Sequence, residues 1–123
     1  MDRGREDEIR ARLAEIAGGR PGVPERQLLV RLIRSFLAKA PDGVDRLGEL
    51  LRGGDREALR DHAHGLRGAA ANLGAGALAR ILAEVEDAAQ DGLLPDPDLT
   101  LGRLAAELAL VLGVLERLAG ELR

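Results

Sequence analysis

The feature that most limits what this chain can fold into lies near its end. Leu101, Leu104, Leu108, Val111, Leu115, Leu118 and Leu122 recur at alternating spacings of three and four. That period keeps one stripe of a helix apolar over about six turns, and so long a stripe is buried only by other helices lying alongside it at a shallow angle. The residue palette agrees. Of 123 residues 46% are apolar, yet Phe36 is the one aromatic ring, so the core must be built from Leu, Ala, Val and Ile, which suits helices better than sheets. A chain of this length holds one core, which predicts a single domain over residues 1–123.

Glycine, proline and aspartate divide the chain into further helices. The first is expected from about Glu6 to Ala17, a short lid with Ile9, Leu13 and Ile16 inward, ending at Gly18-Gly19. The segment GRPGVPE is a turn in which Pro24 opens a second helix that runs to about Ala40, with Leu28 or Leu29, Leu32, Ile33, Phe36 and Leu37 inward. Pro41-Asp42 should stop that helix and start a short one carrying Val44, Leu47 and Leu51, closed by Gly53-Gly54. Asp55 is suited to cap a helix that ends at Asn72-Leu73-Gly74. The next runs from about Ala75 to Asp91, with Leu78, Ile81, Leu82 and Val85 inward, and Gly92 stops it. LLPDPD reads as a loop, with Asp98 the expected cap of a final helix over about 98–122. Together these predict an all-α fold, an up-down antiparallel four-helix bundle with one or two short accessory helices.

Several function classes are disfavoured at once. A net charge of −3 leaves no electrostatic footprint for nucleic acid, and the absence of cysteine removes disulfides and thiolate metal sites. The first residues, MDRGREDEIR, are too charged for a signal peptide, and no apolar run approaches the ~18 residues of a membrane span, so a cytoplasmic protein is expected, with Met1 favouring a free-standing one. Ser35 and Thr100 are the only aliphatic hydroxyls, and neither has an evident histidine base. Gly74-Ala75-Gly76 lacks the length, lysine and hydroxyl of a phosphate-binding loop. No independent catalytic site is expected.

The stretch from Asp61 to Ala75, DHAHGLRGAAANLGA, carries the function. Each helical residue turns about 100° from the last, so Arg67, Gly68 and Ala71 share the face of His64. Leu59, Ala63, Leu66, Ala70 and Leu73 gather on a different face, and His64 should point to solvent. Helical side chains lean toward the N-terminus, so the residue four positions on normally covers the one below. Gly68 has nothing with which to cover it. Glycine inside a helix costs about 1 kcal/mol relative to alanine, and the compensation expected here is access for another protein. An ordinary histidine at neutral pH offers a ring-nitrogen lone pair to an electrophile without a general base. Arg67 and Arg60, at +3 and −4, flank it with positive charge.

His62 lies about 200° around the helix from His64, which predicts a structural residue at the core boundary and rules out chelation of one metal ion by the pair. Gly65, Gly102 and Gly113 are expected to allow close helix packing, and Glu84, Glu86 and Asp87 to form a solvated face. Leu93, Leu94, Leu110 and Leu112 are surplus apolar positions that would support a dimer, although a monomer is the first expectation.

The stretch resembles the histidine-containing phosphotransfer (HPt) domain, whose signature is a histidine, an aliphatic residue, a lysine, a glycine, small residues and a leucine-glycine corner. Here these are His64, Leu66, Arg67, Gly68, Ala69 to Ala71, and Leu73-Gly74, with arginine standing where the family usually has lysine. The likeness extends to Phe36-Leu37, Gly54-Asp55, Leu82, Val85 and Glu86, covering about residues 24–92. It implies a phosphocarrier of a two-component phosphorelay, taking a phosphoryl group on His64 from a receiver-domain aspartate and passing it to another. The implied partners are response-regulator receiver domains and a hybrid sensor histidine kinase. The chain would have no cofactor of its own, magnesium being carried by the receiver. Arg67, Gly68, Arg60 and Ala71 would contact phosphate or partner. The competing reading is a helical binding module that docks a receiver or kinase without carrying phosphate.

Overall fold

The computed structural model describes residues 2–19 and 22–123. Five helices follow in order: α1 (Asp2–Ala17), α2 (Val23–Gly53), α3 (Arg56–Asn72), α4 (Gly76–Gln90) and α5 (Pro97–Leu122). The described residues contain no strand. Met1, and Arg20 and Pro21 within the expected turn at 19–25, lie outside the described residues.

The largest departure from expectation is α2, which passes through Pro41 without a break. Proline lacks the N–H that would bond the Leu37 carbonyl, a loss of about 3 kcal/mol in a helix interior. The apolar stripe continues in register across it, with Ile33, Phe36 and Ala40 buried before it and Val44, Leu47 and Leu51 buried after it. Each aliphatic side chain removed from water is worth about 1.5–3 kcal/mol, so continuity wins over the lost bond. The helix stops at the expected glycines, with Gly54 at φ +78° returning its N–H to the Leu50 carbonyl at 3.2 Å.

The other boundaries follow local chemistry. The Asp55 carboxylate accepts from the Ala58 N–H at 3.1 Å and opens α3. Gly74 closes it at φ +81°, and Ala75 N–H returns to the Ala70 carbonyl at 2.9 Å. The cap of α5 is Asp96, not Asp98: its carboxylate accepts from Leu99 N–H at 3.1 Å. Pro97 is the reason, since its fixed φ and missing N–H suit the first helical position, which moves the start upstream. Asp98 falls in the first turn and pairs with Arg52 of α2 at 2.9 Å.

Cross-ties join neighbouring helices. α2 meets α3 where His62 Nε2–H donates to the Gly43 carbonyl at 2.7 Å. Arg56 at the start of α3 donates to the Gly92 carbonyl beyond α4 at 2.6 Å, and His64 farther along meets Glu86 farther back, so α3 and α4 run oppositely. Arg103 of α5 reaches Glu84 of α4 at 2.8 Å. The expected α5 stripe is inward, with Leu104, Leu108, Val111, Leu115 and Leu118 buried and Leu101 and Leu122 half-buried at its ends. Close helix packing falls on Gly43 against Leu66 and Gly48 against Leu101; a Cβ at Gly65, Gly102 or Gly113 would meet nothing within 4 Å, so the packing role expected of those three is not seen.

α1 lies over the bundle with Ile9 and Leu13 buried. Its polar side chains hold it on two sides. Arg5 grips the buried Glu107 of α5 through two bonds, at 2.5 and 2.6 Å, and holds that carboxyl below the usual carboxylate range. Glu6 pairs with Arg117 and Arg10 with Glu121, both at 2.9 Å. At the α3–α4 corner the backbones nearly touch: a Cβ on Gly74 would stand 2.8 Å from Arg12 Cβ and 2.9 Å from the Glu8 carbonyl.

Candidate functional site

With Asp55 fixing its start and Leu59, Ala63 and Ala70 buried, α3 turns His64 outward, and its side chain is 63% exposed. Gly68, one turn on, leaves the space above it open, since a Cβ there would meet nothing within 4 Å. Ala71, a further turn along, is exposed as well. No contact inside the chain requires glycine at 68.

Glu86 of α4 completes the site. Its side chain is only 13% exposed, and Oε2 lies 2.9 Å from His64 Nδ1. Arg67 Nη1 stands 3.2 Å from Glu86 Oε1, while its Nη2 stands 3.2 Å from His64 Nδ1. Nδ1 cannot donate to the carboxylate and accept from the guanidinium at once. A carboxylate only accepts, and its contact is the shorter one, so the Nδ1 proton belongs on the Glu86 bond. The lone pair is thereby fixed on Nε2, at the exposed edge of the ring. Arg67 then pairs with Glu86 by charge; Oε1 is buried and within ion-pair range of Arg67 but accepts no hydrogen bond.

Glu86 therefore does not belong to a solvated face as expected. The reason is its position in α4: four residues after Leu82 and three before Ala89, both buried, it sits at the edge of the inward stripe. That register was legible in the sequence, but the acids on either side masked it. Glu84 and Asp87 are exposed as expected. Arg60 turns to Asp61, 3.1 Å away, and does not meet the His64 ring. His62 is half-buried and bonded to α2, a boundary residue as expected. Among the described residues no group of three or more His, Cys, Asp or Glu is placed to hold a metal ion, and no helix is long and apolar enough to cross a membrane.

A family model of the Hpt domain matches residues 31–118. The chain belongs to the Hpt domain family, whose members carry phosphoryl groups on histidine in two-component phosphorelays, with receiver domains as partners and without being catalysts in their own right. The match runs well into α5, beyond the span of the motif resemblance, and leaves α1 outside. No curated protein and no solved structure gives a match.

Proposed function

We propose that His64 is the phosphoacceptor, taking a phosphoryl group from a receiver-domain phosphoaspartate and passing it to a second receiver. The observation that carries this reading is the hydrogen bond between His64 Nδ1–H and Glu86 on a ring whose other nitrogen faces solvent. Nε2 attacks phosphorus, the N–P bond forms, the O–P bond of the acyl phosphate breaks, and its electron pair leaves on the partner's carboxylate. No proton need move. The positive charge that develops on the ring lies against the Glu86 carboxylate, which stabilises it in place. The reverse attack, by the next aspartate, regenerates the neutral ring.

Arg67 is already beside the ring and would turn part of its guanidinium to the new phosphoryl oxygens, pairing with them in a forked geometry that lysine cannot supply. Arg60, one turn below, would join only by leaving Asp61. Gly68 and Ala71 would form the bare floor on which the partner rests. The magnesium ion that screens the transferring group would be held by the receiver. A hybrid sensor histidine kinase and response regulators are the partners this chemistry needs, and a cytoplasmic location fits them. The cross-ties among α2, α3, α4 and α5 support an up-down antiparallel four-helix bundle over the chain as a single domain, with α1 the accessory helix.

The test is transfer from a phosphorylated receiver domain. The protein should acquire an acid-labile, alkali-stable phosphate, and His64→Gln should acquire none. A label that persists in His64→Gln would place the acceptor elsewhere.

A further inference from the structure

Most arginines outside α2 face an oxygen acceptor. Arg10 meets Glu6 and Glu121, Arg60 meets Asp61, and Arg103 meets Glu84. The first half of α2 is different: Arg26, Arg31 and Arg34 are exposed, and among the described residues none makes an ion pair or a side-chain hydrogen bond. Glu25, the one acid between Val23 and Lys39, points back at the start of the helix, with Oε1 3.4 Å from where a Cβ on Gly22 would stand. Like charges on one helix weaken it by a few tenths of a kcal/mol per close pair, and a chain with 21 acidic residues had the means to neutralise them.

These three arginines line one cleft. It is an open groove of about 560 Å³ between the start of α2 and the end of α5, lined also by Val23, Gln27, Val30, Leu122 and Arg123. A concentrated positive field inside a molecule of net charge −3 selects an anionic occupant. Three features select the kind. The surface is concave, which suits a discrete segment better than a flat membrane. Phe36, the chain's one Phe, Tyr or Trp, lines a different groove and neither histidine lines this one, so the cleft has no aromatic ring of its own on which to stack nucleobases. Guanidinium forks beside aliphatic side chains match carboxylates beside aliphatic side chains.

We propose that this cleft is a docking surface for an acidic helical segment of a partner protein, carrying Asp or Glu along one edge and leucine at three- and four-residue spacing. It stands apart from the phosphoacceptor ring. Gly43, which His62 bonds, is nine residues beyond Arg34 along α2, about 13 Å of helix. A segment seated in the cleft leaves His64 open, and the surface does not depend on His64 reacting.

The experiment titrates the full chain into a fluorescein-labelled synthetic peptide of glutamates with leucine at every third or fourth position. Saturable binding is expected, weakened at least ~10-fold by Arg31→Glu/Arg34→Glu and by raising salt from about 50 to about 500 mM. Arg31→Gln/Arg34→Gln should give a smaller loss, with circular dichroism reporting that each variant keeps its helices. Amide shifts should change at Val23, Val30 and Leu122, and His64→Gln should bind as the native chain does, separating this result from that of the phosphotransfer assay. No saturable binding, binding indifferent to charge reversal, or tighter binding to a single-stranded DNA oligonucleotide or to phosphatidylglycerol vesicles would each overturn the proposal.

Discussion

One carboxylate, Glu86, serves two neighbours: it holds the proton of His64 Nδ1 and the charge of Arg67. Replacing it with glutamine keeps the size but removes the charge, and an amide can also donate to Nδ1, which frees the ring to exchange tautomers. Glu86→Gln should therefore slow phosphotransfer about 10-fold, and the nitrogen chemical shifts of His64 should move from a single tautomer to a mixture. The glycines make a paired prediction. A Cβ at Gly68 meets nothing, so Gly68→Ala should raise stability by about 0.5–1 kcal/mol, whereas Gly68→Gln should leave the helix intact and slow transfer severely. Gly74→Ala should lower stability by about 2 kcal/mol or more, because its φ is +81° and its Cβ would strike the backbone of α1. Thermal melts and transfer rates from the same preparations check all three. At this scale the outward histidine and the vacant position above it were legible from helical period alone. Glu86 was legible only as an edge position of α4; its role was not, because that depends on which residue of α3 faces it, and pairing between helices is absent from a one-dimensional pattern.

Boundaries written in capping chemistry were legible at the scale of the helix. Asp55, Gly54, Gly74 and Gly92 act where they stand. The break expected at Pro41 rests on a local preference, which the tertiary burial on both sides of it overrides. Pro41→Ala should restore a bond to the Leu37 carbonyl and raise stability by about 1–2 kcal/mol, less than the full cost of a helical proline because alanine also frees the unfolded chain. Chemical denaturation of the two proteins measures it. A loss of stability instead would mean that α2 needs the proline to keep its path across α3. Asp96 and Asp98 compete for one role within three residues, and Pro97 decides between them.

Across the whole molecule, composition announced helices and a leucine core, and the matched family agrees. The segregation of charge was hidden by the net value, since −3 is a sum over paired and unpaired groups alike. The same holds for Glu107, a buried acid in a leucine stripe whose partner lies about a hundred residues away in sequence. Its folded carboxyl is held low, chiefly by Arg5, so the stability it adds is present above the unfolded carboxylate range and is lost as pH falls through the folded value. Glu107→Gln should then cost about 1–2 kcal/mol at pH 7, and the difference should shrink as pH falls below the usual carboxylate range, where melting curves of variant and native protein draw together. The lid helix has a last consequence. Much of its grip on the body is ionic, while the hairpin bearing His64 is held largely by hydrocarbon. Ionic strength should act on the two separately: amide exchange around Ile9 to Ala17 quickens with added salt, and exchange around Leu82 to Val85 keeps its pace.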